Sequence, residues 1–141
     1  MPPEAIRLRR LQRLEQVRAI AKQSAVHDAA QAEASLQHLR GLAERTCQLA
    51  HGYDFPNRAI DGLALGQLHG FVAGLRAIAS NTARGAAQAQ ALADRKQHEL
   101  AHAERARAAV QDRAEASARI VAQRLAEPML NARRAIGTEL D

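Results

Sequence analysis

At 141 residues and 47% hydrophobic content the chain has the length of one ordinary domain, but 33 of those residues are Ala and the only aromatics are Tyr53, Phe55 and Phe71. A methyl group buries little area at roughly 25 cal/mol per Å², so these residues make a poor compact core and a better extended helix–helix seam. The net charge of +5 and the pI near 10.6 rest on 18 Arg and 2 Lys, a balance that suits an acidic partner without naming one.

Ala, Leu, Gln, Glu and Arg lead the helix-propensity scale and dominate the chain, while the strand formers are scarce, so an all-α fold without a sheet is expected. Cys47 is the single cysteine, which rules out an internal disulfide and fits a reducing compartment. Arg7, Arg9, Arg10 and Arg13 have no long apolar stretch behind them, so no signal peptide is readable. The longest uncharged stretch, Gly62 to Leu75, is too short and too Gly-rich to span a bilayer. The expectation is a soluble cytoplasmic protein with no direct membrane insertion.

In chain order, Pro2 and Pro3 followed by Glu4 suit a first helical turn, where missing N–H groups cost nothing and a carboxylate meets the positive end of the helix dipole. A first helix is expected over about 3–51. Small or apolar residues recur along it as Leu8, Leu11, Leu14, Val17, Ala21, Ala25, Ala29, Ala32, Leu36, Leu39, Ala43, Thr46 and Ala50. These are twelve steps over 42 residues, a mean of 3.5, which is the period of a coiled coil. The pattern stops at His51-Gly52-Tyr53-Asp54-Phe55-Pro56-Asn57, where Gly52 can cap the helix and Pro56 forbids its continuation. A turn is expected over about 52–58.

A second helix follows over about 59–127, with a stripe Leu68, Val72, Leu75, Ala79, Thr82, Ala86, Ala89, Ala93, Lys96, Leu100, Ala103, Arg107, Val110, Ala114, Ser117, Val121 that again alternates three and four. Pro128 predicts a break, after which a tail helix runs over about 128–139. A short turn forces the two long helices antiparallel in a single coiled-coil domain. With the reversal centred near 55–59, the first helix reaches back to about residue 105–115 of the second. The rest overhangs with Ile120, Val121, Leu125, Met129, Leu130 and Ile136, a stripe in want of an external partner. Dimerisation through the same stripe is the alternative.

His98-Glu99-Leu100-Ala101-His102 spells H-E-x-x-H, the spacing that sets two zinc-binding imidazoles one helical turn apart beside a general base. A catalytic zinc also needs a third protein ligand, a second shell and a walled cleft. With Leu100 and Ala103 on the seam the two histidines fall on an outward face, no third histidine follows at the required spacing, and the motif is read as a chance match on a solvated helix. Neither a metal nor another cofactor is expected. Gly62, Gly66, Gly70 and Gly74 recur at every fourth residue at about 1 kcal/mol of helix propensity each. Two readings stay open for them, a ridge for close helix approach and a frayed segment. No Walker sequence is present, so nucleotide binding through one is not expected. Arg7, Arg9, Arg10, Arg13 and Arg18 on the first helix, with Arg105, Arg107, Arg113, Arg119, Arg124, Arg133 and Arg134 on the second, are brought to one end by antiparallel pairing. Interleaved aromatics for base stacking are missing there and Glu99, Glu104, Asp112, Glu115 and Glu127 dilute the charge, which favours a protein socket over nucleic acid.

The Leu/Arg-rich opening from Ile6 to Arg18, the Ala/Gln/Glu heptads, the short turn and the longer Arg/Ala helix together resemble the FliJ family of flagellar type III export proteins and their virulence-secretion relatives. The resemblance covers nearly the whole chain. It implies a non-enzymatic stalk like the γ subunit of rotary ATPases, with its terminal ends in the centre of a hexameric export ATPase, its hairpin end towards the membrane protein of the export gate, and export chaperones as further partners. Arg7, Arg10, Arg13, Arg113, Val121 and Leu125 are then the ATPase-docking candidates. The family's gate-contacting patch has the form F-x3-L-x2-A-x3-H on the second helix, where Phe71 and Leu75 match and Ile78 and Thr82 depart. On the first helix the form is Q-x3-L-x2-Y-x3-Y, and of His38, Leu42, Arg45 and Leu49 only Leu42 matches. Leu42, Phe71 and Leu75 are therefore the gate-contact candidates. The alternative reading is a basic coiled-coil protein that binds nucleic acid or homo-oligomerises.

Overall fold

The computed structural model describes residues 2–53 and 62–138, with side chains to residue 135. The fold is an all-α helical hairpin of two helices that pack on each other, α1 (Pro3–Gly52) and α2 (Gly62–Thr138), with no strand among the described residues. The expected turn residues beyond Tyr53 and the expected start of the second helix near residue 59 lie outside the described residues. None of the described helices is long and apolar enough to cross a membrane.

Both ends of α1 follow from local chemistry. Pro3 occupies the first helical position, and the carbonyl of Pro2 accepts from the N–H groups of Ala5 and Ile6 at 3.1 and 3.4 Å. At the other end Gly52 is the last helical residue and does not take a left-handed conformation. The helix tightens instead, with Tyr53 N–H donating to the Ala50 carbonyl at 3.3 Å. The glycine cap expected from the sequence is thus replaced by a three-residue closing bond.

Contacts group the chain into two units, 1–25 with 100–141 (unit 1) and 26–99 (unit 2), each made of one segment of either helix. In unit 2, Leu36 packs with Ala32 and Ala93 and against Ala89, and Arg40 donates to the Gln90 side chain, which fixes an antiparallel register. Twelve residues on from Arg40 is Gly52, and twelve back from Gln90 is Ile78. Roughly the first four turns of α2 therefore run past the end of α1. Thr46 lies buried in the seam and Thr82 half-buried, each with its hydroxyl donating to the carbonyl four residues back, at 2.8 Å to Leu42 and 2.7 Å to Ile78. The hydroxyls of Thr46 and Thr82 are thus each satisfied within their own helix.

In unit 1, Glu4 pairs with Arg124, which sets the first turn of α1 level with residue 124 of α2. The sequence reading had α1 reaching only to about residue 105–115. It assumed a reversal centred at 55–59, whereas α2 overruns α1 at the hairpin end. The overhang expected at the terminal end shortens accordingly to the residues after Arg124.

Pro128 does not break α2, which continues through it to Thr138. Proline at this position removes the bond that would close on the Arg124 carbonyl, at about 3 kcal/mol of helix propensity. The residues from Ala122 to Ala135 are exposed, so water can take up the freed carbonyl. Pro128→Ala is accordingly expected to slow amide exchange over residues 125–132 by about tenfold or more, read by exchange mass spectrometry. Unchanged exchange in that stretch would contradict this account.

Candidate functional site

The net charge of the chain belongs to unit 1. Its two segments hold thirteen Lys and Arg against eight Asp and Glu, whereas unit 2 holds seven of each. Unit 1 shows this charge on two surfaces that differ in construction.

One is a groove between the helices, lined by Glu4, Arg7 and Leu11 from α1 and by Arg113, Ala116, Ser117 and Ile120 from α2. The steps of three and four on each helix place these side chains on facing stripes. Leu11, Ala116 and Ile120 give the groove an apolar floor, and Arg7 and Arg113 supply guanidinium groups at its rim. Glu4 is held by Arg124, so its carboxylate is already neutralised.

The other surface is the face of α1 turned away from α2. Ile6, Arg10, Arg13, Val17 and Ile20 follow one another in steps of four, three, four and three, and all five are exposed, Val17 by 60% and Ile20 by 67%. This is a second stripe at the coiled-coil period, aliphatic at three positions and cationic at two. Arg9 is exposed on its flank. Three branched aliphatics left in water at coiled-coil spacing are the pattern of a helix surface that receives another helix.

The docking candidates named from the sequence therefore separate. Arg7 and Arg113 line the groove, Arg10 and Arg13 lie on the outward stripe, and Leu125 is 70% exposed beyond the start of α1. Val121 is half-buried in the seam and has little surface left to offer a partner. Leu11, Ile120, Ile6, Val17 and Ile20 were not singled out as site residues from the sequence. The signal that would have found Ile6, Val17 and Ile20 is the second 4–3 stripe, on the opposite face of α1 from the first.

The gate-contact candidates are all in unit 2 but are not brought together. Leu42 is level with Gln88 by the register at Arg40 and Gln90, and Leu75 lies thirteen residues before Gln88, about 20 Å along α2. Phe71, 53% exposed, meets Tyr53 edge to face with ring centroids 5.3 Å apart. Tyr53 also lines a groove with Leu65, Leu68, Val72 and Arg76. Phe71 thus belongs with Tyr53, which the family pattern did not include. Gly62, Gly66, Gly70 and Gly74 are helical, and a methyl added at any of them would meet nothing within 4 Å among the described residues. The close-packing reading of this ridge has no counterpart among the described residues.

His98, Glu99 and His102 are exposed, and Lys96 donates to the Glu99 carboxylate at 3.1 Å. Among the described residues no three His, Cys, Asp or Glu side chains come together in a way that could hold a metal ion. Compared with known proteins, the chain matches no family model, no curated protein and no solved structure.

Proposed function

We propose that the chain is a non-enzymatic stalk or adaptor of a bacterial type III protein export apparatus, cytoplasmic, which docks on a hexameric export ATPase through unit 1 and regulates it. The observation that carries this reading is the outward stripe of α1, where Arg10 and Arg13 stand between Ile6 on one side and Val17 and Ile20 on the other, on a unit that holds the whole net charge. Such a stripe offers a partner helix apolar contact along its centre and charge selection along its length. The resemblance of the opening and of the Ala-rich heptads to the FliJ family supplies the identity of the partner. The aromatic pair Tyr53 and Phe71 in unit 2 supports a contact with the export gate at the hairpin end.

Binding of the purified chain to a hexameric type III export ATPase tests the proposal, with ATP hydrolysis measured alongside. The chain is expected to bind and to change the hydrolysis rate, and Arg10→Glu with Arg13→Glu to weaken binding by about tenfold or more at low salt. A wild-type chain that neither binds nor alters hydrolysis would overturn it.

A further inference from the structure

On the outward stripe of α1, Arg10 and Arg13 hold the two inner positions, one turn apart, with Ile6 a turn before them and Val17 and Ile20 in the turns after. No acid shares this face. The only acids in the part of α1 that belongs to unit 1 are Glu4 and Glu15, both half-buried on the side of α2, and Glu4 is paired with Arg124. Arg9, Arg10 and Arg13 have no acid three or four residues away on either side, and they make no ion pair among the described residues. Arg13 instead stands three residues from Arg10 and four from Arg9, the spacings at which like charges on a helix repel. Uncompensated cations and exposed aliphatics thus lie in one surface, in a fixed order.

That order selects among the surfaces that could cover the stripe. A helix that lies in a lipid surface carries its arginines at the margins of the apolar face, where they reach the headgroups. Here the arginines stand between the aliphatics, so sinking Ile6 and Val17 into acyl chains would take two guanidinium groups with them. A second copy of the stripe also fails. Paired in parallel, Arg10 and Arg13 would each meet themselves, and paired antiparallel about the middle of the stripe, Arg13 would meet Arg13. A helix with carboxylates at the two inner layers and aliphatics at the outer ones satisfies every layer, and it relieves the repulsion among the arginines as it docks. We infer that the outward face of α1 receives an acidic amphipathic helix of a partner protein, with Asp or Glu opposite Arg10 and Arg13 and apolar side chains opposite Ile6, Val17 and Ile20. This rests on the stripe being the docking face proposed above and adds the chemistry of what docks there, whichever protein supplies it.

The test uses the full chain and designed helical peptides of about 21 residues, one for each direction of pairing, with Glu at the two inner layers and Leu at the outer ones. The same peptides with Lys for Glu are the controls. Fluorescence anisotropy at low and high salt reads binding, and circular dichroism confirms that each variant is as helical as the wild type. One of the Glu peptides is expected to bind and neither Lys peptide to do so. Val17→Glu with Ile20→Glu should weaken binding by about tenfold or more. Arg10→Glu with Arg13→Glu should weaken it by a similar factor that shrinks in high salt, and should let the Lys peptide of the same direction bind in its place. Met129→Glu with Leu130→Glu should leave binding unchanged. Absence of binding by both Glu peptides, no exchange of preference in the Arg10→Glu, Arg13→Glu chain, or loss of binding through Met129→Glu with Leu130→Glu would overturn the inference. So would a chain that sediments as a dimer dispersed by Val17→Glu with Ile20→Glu, or one that binds phosphatidylglycerol vesicles through the stripe while ignoring the peptides. A wild-type chain that binds the export ATPase but neither Glu peptide sinks this inference and leaves the export reading standing. Peptide binding with the expected exchange, but no binding to the export ATPase, sinks the export reading alone.

Discussion

Leu36→Ala is expected to destabilise unit 2 by about 3 kcal/mol and to lower its melting temperature by roughly 10 °C. Leu36 is 1% exposed and is the largest fully buried side chain among the described residues. Its neighbours in the core cluster are Ala32, Ala93 and Ala89, which contribute one methyl each. Removal of an isobutyl group from such a site takes away most of the local apolar burial, and the alanines around it cannot extend to refill the space. Leu36→Met keeps the volume and should cost less than about 1.5 kcal/mol. Urea unfolding of both variants, with amide exchange resolved along unit 2, separates local loosening from global loss. A Leu36→Ala protein within about 1 kcal/mol of wild type would mean that the Ala seam is held by something other than this anchor.

How the seam was legible in the sequence differs between the two helices. On α2 every residue of the stripe read from Leu68 to Val121 is buried or half-buried, including Lys96 and Arg107. Regular spacing there was strong enough to carry polar residues with it. On α1 the stripe holds from Ala25 to Ala50 and at Leu8 and Leu11, but Leu14, Val17 and Ala21 are exposed. The half-buried residues between are Glu15, Ala19 and Lys22. A search for apolar residues follows Leu14 and Val17, whereas the face turned to the partner helix runs from Leu11 to Ala25 through Glu15, Ala19 and Lys22, in steps of four, four, three and three. Of the displaced residues, Val17 belongs to the outward stripe.

The length of the overhang was not legible for a related reason. An Ala-rich seam is nearly the same after a shift of one heptad, so apolar pattern alone does not fix which residues stand opposite. The turn had to set the register, and a tight reversal near residues 55–59 was the natural assumption. Arg40 beside Gln90 and Glu4 beside Arg124 give a register in which α2 extends further at the hairpin end. Pro128 misled in a different way, because a proline rule that holds in a packed helix interior is weaker where water can reach the freed carbonyl.

Arg107→Met is expected to stabilise unit 1 by about 1–2 kcal/mol, a gain unusual for a single substitution. Arg107 lies half-buried on the seam, and its Nε is shut off from solvent with no hydrogen-bond partner among the described residues. An N–H desolvated without a partner costs about 1–3 kcal/mol, and Met retains the aliphatic length that the Arg stem already packs. Eighteen residues on from Glu4 is Lys22, and eighteen back from Arg124 is Ala106, so the half-buried Lys22 stands level with Arg107. Two cations in one layer of a thin seam repel, which adds to the gain when either is removed. A double-mutant cycle with Lys22→Met should therefore show that the two gains do not add, with a coupling of about 0.5 kcal/mol or more that fades in high salt. Polar seam residues exact such a cost in other coiled coils because they fix register. An Ala seam that tolerates sliding has particular need of that. If Arg107→Met leaves thermal stability unchanged, or lowers it, the Nε is satisfied in solution and the seam at this layer is looser than the buried geometry requires.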